Sequence, residues 1–384
     1  DIRKMLVPLG PVVVFGASNF PFAYSTAGGD TACAFAAGCP VIVKAHPAHA
    51  ETSEMVANAI KKAAFNCGLP GGIFAHVHGE AVSVGEALVK HPFTKAVGFT
   101  GSLGGGRQLF DWGNQRKDPI PVFAEMGSIN PVFLLPEKTN ADANEIAKQY
   151  AASITLSAGQ FCTNPGLIIG IDNDDLDTFL EILSAEIEKI TPSTMLHPGI
   201  YNSYVEKRAA ALSQTEVKEV AVAEKETGPN QGIATIASTT GRNFLRNPLL
   251  HQEVFGPYSL VIRCSDINEM KDVAKDLEGQ LTATLMATEN EIRNNDELLE
   301  NIKNICGRLI MNGVPTGVEV CLSMHHGGPY PATTDSRFTS VGADGIRRFA
   351  RPLCFQNWPN ELLPDELKDE NPLGISRTVN NEIS

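Results

Sequence analysis

The chain has 384 residues, 43% of them hydrophobic, and a formal net charge of −13. This length exceeds one ordinary hydrophobic core, so we expect a globular protein with at least two packed units. The acidic balance argues against a nucleic-acid partner, because neutralising phosphates needs clustered Lys and Arg. No apolar run is long enough to span a bilayer, so we expect no membrane partner.

The eight cysteines form no CxxC pair, and no His/Cys cluster has the spacing of a zinc site. We therefore expect free thiols, no metal and a reducing, cytoplasmic compartment. The first residues, DIRKMLVPLG, lack the apolar core of a signal peptide. A start at Asp1 rather than Met leaves open that a targeting segment precedes the chain.

Short apolar runs alternate with helical stretches in the first third of the chain. PVVVFG, CPVIVK, FAHVHG and KAVGFTG read as strands, separated by a helix to Ala37, one ending at Gly68 and one through VSVGEALVKH. This alternation predicts a parallel sheet. A Gly-rich turn follows KAVGFTG and opens a helix near Gly105. It lies at the carboxyl end of a strand, where doubly wound sheets bind ligands.

From NPVFLLP to MNGVPTG, strands and helices resume, separated by different turn residues, which predicts a second α/β domain. The boundary is expected between Met126 and Asn130. The tail after Gly327 is rich in Pro, Arg and short turns. The sequence thus predicts three units, covering residues 1–127, 128–327 and 328–384.

Two residues are candidates for covalent chemistry. Cys162 lies in SAGQFCTNPG, a segment of small residues closed by a Pro-Gly turn, where a thiol can face a cleft. Glu125, in PVFAEMGSINPVF, interrupts an apolar strand just before a Gly. Burial would raise the pKa of that carboxyl and make it a general base near neutral pH. Considered alone, Cys162 could instead be a buried structural cysteine, and Glu125 could be a capped or salt-bridged structural glutamate.

Other segments are suited to binding. Asn19 follows the first buried strand, where its amide could donate to an oxyanion, although ordinary turn chemistry is an alternative. The strand-to-helix glycines of VGFTGSLGGGRQLF suit a phosphate, but their spacing matches neither common nucleotide fingerprint. Lys44 ends a strand and could reach a phosphate or ribose. In HQEVFGPYSLVIR, Glu253 could hold ribose hydroxyls and Phe255 could pack on a nicotinamide, unless this is a simple loop.

Together these segments resemble the aldehyde dehydrogenase superfamily. The matching pieces, in the family's order and over nearly the whole chain, are SNFPFA, VIVK, GFTGS, AEMGS, GQFCT and EVFGP. The resemblance implies the aldehyde dehydrogenase fold: a Rossmann-like cofactor domain over residues 1–127 with the start of an oligomerisation arm, and an α/β catalytic domain over 128–327. Residues 328–384 would return to the cofactor domain and the arm. The family's first N-terminal segment is absent, and a homodimer or homotetramer is expected.

The resemblance also implies a mechanism. Cys162 would attack the aldehyde, with Asn19 and the Cys162 backbone N–H stabilising the oxyanion. Hydride would leave to NADP or NAD, and Glu125 would activate the water that hydrolyses the thioester. The residues implied in cofactor binding are Lys44, Pro47, Gly101, Ser102, Glu253 and Phe255. His326 could approach the thiol and lower its pKa, or could, like His325, be an ordinary loop residue.

VKAHPAH, PVFAEMGSINPVF and HGGPYPATTDSRFTSVG place the resemblance closest to the branch of α-ketoglutaric semialdehyde (2,5-dioxovalerate) dehydrogenase and NADP-dependent fatty aldehyde dehydrogenase. Ser128 stands where the family usually has a second Gly. Pro47 replaces an acidic residue common in NAD-preferring relatives, so we expect NADP to be used at least as well as NAD. The expected substrate is 2,5-dioxopentanoate, whose carboxylate would need a cation in the binding site. Arg337 and Arg351 are present in this region of the chain, but the sequence assigns neither to that role.

Two alternatives remain open at this stage. One is a broad or long-chain fatty aldehyde dehydrogenase, because the side chains that shape a substrate tunnel cannot be placed from sequence. The other is a catalytically silent binding or structural relative, or a fragment, although the Cys and Glu that such a relative would lose are both present.

Overall fold

The computed structural model describes residues 1–79, 82–223 and 228–383. Within this part of the chain, strand β1 (Ile2–Pro8) lies outside the two main sheets. The next strands form a parallel sheet of five: β2 (Val12–Phe15), β3 (Val41–Lys44), β4 (Phe74–Val77), β5 (Ala96–Thr100) and β6 (Val122–Glu125). Their order across the sheet is β4-β3-β2-β5-β6.

Helices connect the strands of this first sheet: α1 (Gly29–Ala36), α2 (Ala50–Asn66), α3 (Val82–Lys90) and α4 (Leu103–Asn114). The three valines of β2 are fully or almost fully buried, as expected for a strand covered on both faces. The parallel sheet predicted from sequence is confirmed. Helix α4 begins at Leu103 rather than near Gly105, because the Ser102 hydroxyl accepts from the Gly105 N–H at 3.2 Å and caps the helix earlier.

The second half of the chain contributes further strands: β7 (Pro131–Leu134), β8 (Leu167–Ile171), β9 (Ser193–Thr194), β10 (Lys218–Val222), β11 (Gln231–Gly232), β12 (Thr235–Thr240), β13 (Tyr258–Cys264), β14 (Gln280–Met286) and β15 (Cys306–Met311). Within the described residues, seven form a sheet in the order β10-β12-β13-β8-β7-β14-β15, while β9 and β11 pair separately. All neighbours in the large sheet are parallel except β10, which is an antiparallel edge.

Amphipathic helices cover this second sheet: α5 (Pro136–Thr155), α6 (Asp174–Ile187), α7 (Pro198–Leu212), α8 (Gly241–Arg246), α9 (Ile267–Asp276), α10 (Glu289–Arg293) and α11 (Asp296–Ile305). Every residue of β14 is buried, so this strand lies at the centre of the core. The alternation of strand and helix therefore continues through the second half, as the sequence predicts.

After β15 the chain returns to the first sheet. Thr333 forms a bridge with Glu125, and the Thr334 N–H donates to the Ala124 carbonyl at 3.0 Å. Strand β16 (Ala350–Gln356) then pairs antiparallel with β1, and the short strands β17 (Thr378–Val379) and β18 (Glu382–Ile383) pair with each other. Among the described helices, none combines the length and apolar character needed to span a bilayer.

Candidate active site

The loop that carries Cys162 is held in an unusual backbone conformation. Ser157, Ala158 and Gly159 have φ values of 50°, 54° and 66°, all in the left-handed region. A Cβ on Gly159 would lie 2.2 Å from the carbonyl carbon of Gly256, so only glycine permits this approach. The loop that carries the thiol thus packs directly against the backbone of the EVFGP segment, which positions the thiol.

Asn130 ties the same loop to the second sheet. Its buried amide Nδ2 donates to the carbonyl oxygens of Cys162 and Asn164, both at 2.9 Å. Ser128 contributes to this support: its hydroxyl lies 2.9 Å from the Gln280 Oε1 and accepts from the Leu281 N–H at 3.0 Å. A glycine could not make these bonds, which gives a structural reason for the serine at position 128, where a second glycine was the expected residue.

Three reactive side chains meet where the two sheets face each other. The Cys162 Sγ lies 3.4 Å from the His326 Nε2, which in turn lies 3.0 Å from the Glu125 Oε1. The Ser340 hydroxyl donates to the Glu125 Oε2 at 2.6 Å. Glu125 is the last residue of β6, and its side chain and that of His326 are almost completely buried. The structure therefore brings Cys162, Glu125 and His326 together.

The electrostatics of Glu125 differ from the sequence-based expectation. Burial alone raises the pKa of this carboxyl, but a charge on His326 and hydrogen bonds from His326, Ser340 and the Cys162 thiol outweigh burial and lower the pKa below its ordinary value. The raised pKa expected from sequence is wrong for this arrangement. This lowered pKa favours the carboxylate form of Glu125, which accepts a hydrogen bond from the thiol.

The Cys162 thiol shows the opposite shift. Burial raises its pKa well above the ordinary value, and the nearby negative charge of Glu125 adds to that increase. The predicted contact with His326 is present, but the predicted lowering of the thiol pKa is not. A raised pKa favours the protonated thiol, so a base is needed when Cys162 acts as a nucleophile.

Asn19 also contacts the Cys162 loop. Its Nδ2 donates to the Gln160 carbonyl at 3.1 Å, which fixes the amide beside the loop and leaves its second N–H for another acceptor. The neighbouring Phe20 ring packs edge-on against Phe161 with centroids 5.3 Å apart, and Tyr24 lies beside His326 at 6.2 Å. An aromatic wall thus covers the approach to the thiol.

Four of the residues expected to bind a cofactor end or follow strands of the first sheet, whereas Glu253 and Phe255 precede β13 of the second sheet. Lys44 ends β3, and exposed Pro47 starts a short 3-10 turn, Pro47–His49. His46 and His49 stack with ring centroids 5.4 Å apart. Burial and then the charges of His49, His197 and Lys44 lower the pKa of His46 to about 4. Because residue 47 is a proline, it places no negative charge in this turn.

Gly101 and Ser102 form the turn between β5 and α4. Gly104, in the first turn of α4, has no atom within 4 Å of its would-be Cβ, so the N–H groups of this helix end are approachable by an anion. The Glu253 carboxyl lies against Gly127, where an added Cβ would come 3.0 Å from the Glu253 Oε2. Burial raises the pKa of Glu253 to about 7, against the lowering effect of Lys207.

Phe255 packs partly buried against the core of the second sheet. The candidate cofactor residues thus offer a lysine, N–H groups at a helix N-terminus, a carboxylate and an aromatic ring. This donor set fits a dinucleotide, whose pyrophosphate needs N–H groups and whose riboses need hydroxyl acceptors.

Several residues at the site were not singled out by sequence reasoning. Ser340, Asn130 and Tyr24 each act through a contact with a distant part of the chain that no short motif encodes, and Arg308 is coupled to Cys162 only through its charge. The segment HGGPYPATTDSRFTSVG, which carries the branch resemblance, contained the only signal for Ser340. The structure shows that this segment folds back onto Glu125.

Comparison with known proteins agrees with this geometry. A profile of the Aldehyde dehydrogenase family matches residues 2–338. The chain belongs to the aldehyde dehydrogenase family. Members are NAD(P)-dependent enzymes that oxidise aldehydes, and the dehydrogenase described here has that class of activity. The resemblance inferred from the ordered motifs is confirmed.

Two curated relatives match the dehydrogenase over nearly its whole length. It is 48% identical over 377 residues to α-ketoglutaric semialdehyde dehydrogenase 2 of Azospirillum brasilense, with 98% of this chain and 72% of that protein covered. It is 46% identical over 385 residues to α-ketoglutaric semialdehyde dehydrogenase of Acinetobacter baylyi, with 100% and 73% covered. The dehydrogenase thus spans somewhat under three quarters of the length of these relatives.

Solved structures confirm the aldehyde dehydrogenase fold. A 1-pyrroline-5-carboxylate dehydrogenase from Thermus with bound NAD has a TM-score of 0.76 at 22% identity, covering 92% of this chain and 67% of that one. The glyceraldehyde-3-phosphate dehydrogenase GapN of Methanocaldococcus jannaschii, complexed with NADP, has a TM-score of 0.76 at 18% identity, covering 92% and 74%.

Proposed function

We propose that this dehydrogenase oxidises 2,5-dioxopentanoate, the semialdehyde of α-ketoglutarate, to 2-oxoglutarate. The observation that carries the proposal is its identity of 48% and 46% to two α-ketoglutaric semialdehyde dehydrogenases. The juxtaposed Cys162, Glu125 and His326 supply the chemistry of an aldehyde oxidation.

In the proposed reaction, Cys162 attacks the aldehyde carbon as its proton passes to Glu125, whose lowered pKa favours the ionised carboxylate and whose carboxyl accepts a hydrogen bond from the thiol. The second N–H of Asn19 and the Cys162 backbone N–H then stabilise the oxyanion. Bound NAD or NADP would supply the hydride acceptor, and the acyl group would then remain on Cys162 as a thioester. Glu125 releases the thiol proton to solvent before this stage and then accepts a proton from the water that attacks the thioester. It returns that proton to the departing Cys162 thiolate, which restores the thiol.

The cofactor would be held by the cleft residues Lys44, Pro47, Gly101, Ser102, Glu253 and Phe255. Lys44 offers a point charge to a phosphate, and the α4 N-terminus offers N–H groups. Pro47 contributes no negative charge that would repel a 2′-phosphate, so we expect NADP to be used at least as well as NAD.

Arg308, on β15, supports a substrate with a carboxylate. It is half-buried, and its NH1 and NH2 groups donate to the carbonyls of Gly317 and Pro315. Its buried Nε–H has no partner in the structure. Burial lowers the pKa of Arg308, while negative charge on Cys162 or Tyr24 opposes that decrease, so Arg308 is electrostatically coupled to the thiol. A carboxylate bound there would pair with this cation.

The arginines noted in the sequence are less suitable. Arg337 is exposed and forms a salt bridge with Asp335 at 2.5 Å. Arg351 is exposed on β16, in the ribbon that pairs with β1. Arg308 is therefore the cation that we assign to the substrate carboxylate.

The test compares kcat/KM for 2,5-dioxopentanoate and hexanal in the wild type, Arg308→Met and the control Arg337→Met. Loss of a charge-assisted bond should lower kcat/KM for the keto acid by about 10- to 100-fold in Arg308→Met, with hexanal little changed. Arg337→Met should resemble the wild type. Wild-type activity that rises steadily with alkyl chain length would instead support the fatty aldehyde dehydrogenase alternative.

The remaining assignments extend this proposal. We assign residues 1–127 to a cofactor domain, 128–327 to a catalytic domain and 328–384 to a returning C-terminal segment, in keeping with the change of sheet between β6 and β7. The β1–β16 ribbon is a candidate oligomerisation arm for a homodimer or homotetramer. All eight cysteines are free, which supports a cytoplasmic location. Gel filtration with light scattering tests the oligomer.

A further inference from the structure

A histidine and carboxylate cluster lies outside the active site, where β4 meets α2. His76 and His78 are two residues apart in and just after β4, so both side chains project to one side. Glu54 of α2 meets them there. Its Oε2 lies 3.1 Å from the His76 Nδ1 and 2.8 Å from the His78 Nε2.

The spacing of these atoms suits a small divalent metal ion. All three ligand atoms lie within 4.8 Å of one another. Bonds of about 2.0–2.2 Å in a tetrahedral zinc site separate its ligands by roughly 3.4 Å. The carboxylate oxygen, at 3.1 and 2.8 Å from the two ring nitrogens, is close to that spacing. The two rings are nearly perpendicular, at 86°, with centroids 4.6 Å apart. Two imidazoles and a carboxylate are ligands that zinc accepts.

The surroundings of His76 also resemble the outer shell of a metal site. Its other ring nitrogen, Nε2, lies 2.8 Å from the Ser53 hydroxyl, which lies 2.5 Å from the Thr26 hydroxyl. Ser53 and Thr26 are both buried. Histidine ligands commonly make such a hydrogen bond with the nitrogen that does not bind the metal, which fixes the ring orientation. This relay leaves the Nδ1 of His76 facing Glu54.

One side of the cluster is open to solvent. The side chain of His76 is only 1% exposed, whereas those of His78 and Glu54 are 48% and 45% exposed. An ion could therefore enter without unfolding, and a water could complete its coordination. Asn58 also contacts the carboxylate, with its Nδ2 3.4 Å from the Glu54 Oε1, and the positive charge of Lys61 acts on the cluster and opposes a cation.

We propose that Glu54, His76 and His78 form a binding site for Zn²⁺ or a similar divalent transition metal, which links β4 to α2. The site was not expected from sequence because its ligands come from a helix and a strand without a zinc motif. It lies beside Lys44, whose strand partner is Val77 between the two histidines. A bound ion would thus fix the edge of the sheet next to the cofactor cleft.

The test titrates Zn²⁺ into metal-free protein by calorimetry in a Cys162→Ser background. That background is needed because Glu125, Cys162 and His326 form a second cluster within ligating distance. We expect one saturable site whose affinity falls at least tenfold in Glu54→Gln and in His78→Ala. Glu51→Gln, on the same helix, and His91→Ala, at another exposed histidine, are the matched controls and should keep the wild-type affinity.

Thermal unfolding provides an independent readout. Excess Zn²⁺ should raise the Tm of the background protein and of both controls, because the folded state alone holds the assembled ligands. It should not raise the Tm of Glu54→Gln or His78→Ala. Absence of a saturable site, or equal affinity in all the variants, would show that the cluster is only a hydrogen-bonded network and would overturn the proposal.

Discussion

Replacing Ser340 with alanine should shift the pH dependence of catalysis. The Ser340 hydroxyl donates to the buried Glu125 Oε2 at 2.6 Å and helps to lower the pKa of that carboxyl. A hydrogen bond to a charged group contributes about 1.5–3 kcal/mol. One pKa unit corresponds to about 1.36 kcal/mol, so Ser340→Ala should raise the pKa of Glu125 by about 1–2 units.

The sign follows from the role proposed for Glu125. The ionised carboxylate accepts protons, so activity is present above its pKa and is lost as the pH falls through it. Raising that pKa should move the acidic limb of kcat/KM to higher pH by about 1–2 units.

The assay is a pH–rate profile of aldehyde oxidation for the wild type, Ser340→Ala and Ser340→Thr, which keeps the hydroxyl. Ser213→Ala, at an exposed serine, is the control for serine removal as such. Circular dichroism should show all the variants folded. If folded Ser340→Ala kept the wild-type acidic limb, Ser340 would not be a positioning residue for Glu125.

Three further predictions follow from the site. Cys162→Ala should abolish aldehyde oxidation yet retain NADPH binding measured by fluorescence; normal turnover would contradict the thioester mechanism. Pro47→Glu should shift the ratio of kcat/KM values from NADP towards NAD, because a carboxylate repels the 2′-phosphate; an unchanged ratio would refute the assignment. Gly159→Ala should lower the free energy of unfolding by at least about 2 kcal/mol in urea titrations. The reason is that the backbone of Gly159 is left-handed and other atoms crowd the position of a Cβ. Gly71→Ala, where the Cβ would meet open space, is the control and should not lower the free energy of unfolding in this way.

The sequence was most informative where one residue type and its neighbours carry the signal. The buried valines of β2 and the Gly-rich turn before α4 predicted the parallel sheet and its ligand-binding edge. The GQFCT and AEMGS segments predicted which Cys and Glu to examine. Local patterns suffice for such features because they depend on periodicity and on nearby turns.

The sequence was least informative about electrostatics. Glu125 was expected to have a raised pKa because burial alone has that effect. The contribution of Ser340 and His326 could not be weighed, since both residues lie more than 200 positions away in the chain. The same limit applies to Arg308 and to the cluster of Glu54, His76 and His78, whose members are separate in sequence and meet only in the folded chain.

The long separations within the active site have a consequence for folding kinetics. The contacts of His326 with Cys162 and Glu125, and of Ser340 with Glu125, close chain segments of 164, 201 and 215 residues. Contacts at such separations form slowly, because chain-closure entropy must be overcome before they add stability. During refolding from urea, helical signal should therefore recover before enzymatic activity. A refolding population sampled early would have native-like secondary structure and an incomplete proton-transfer network.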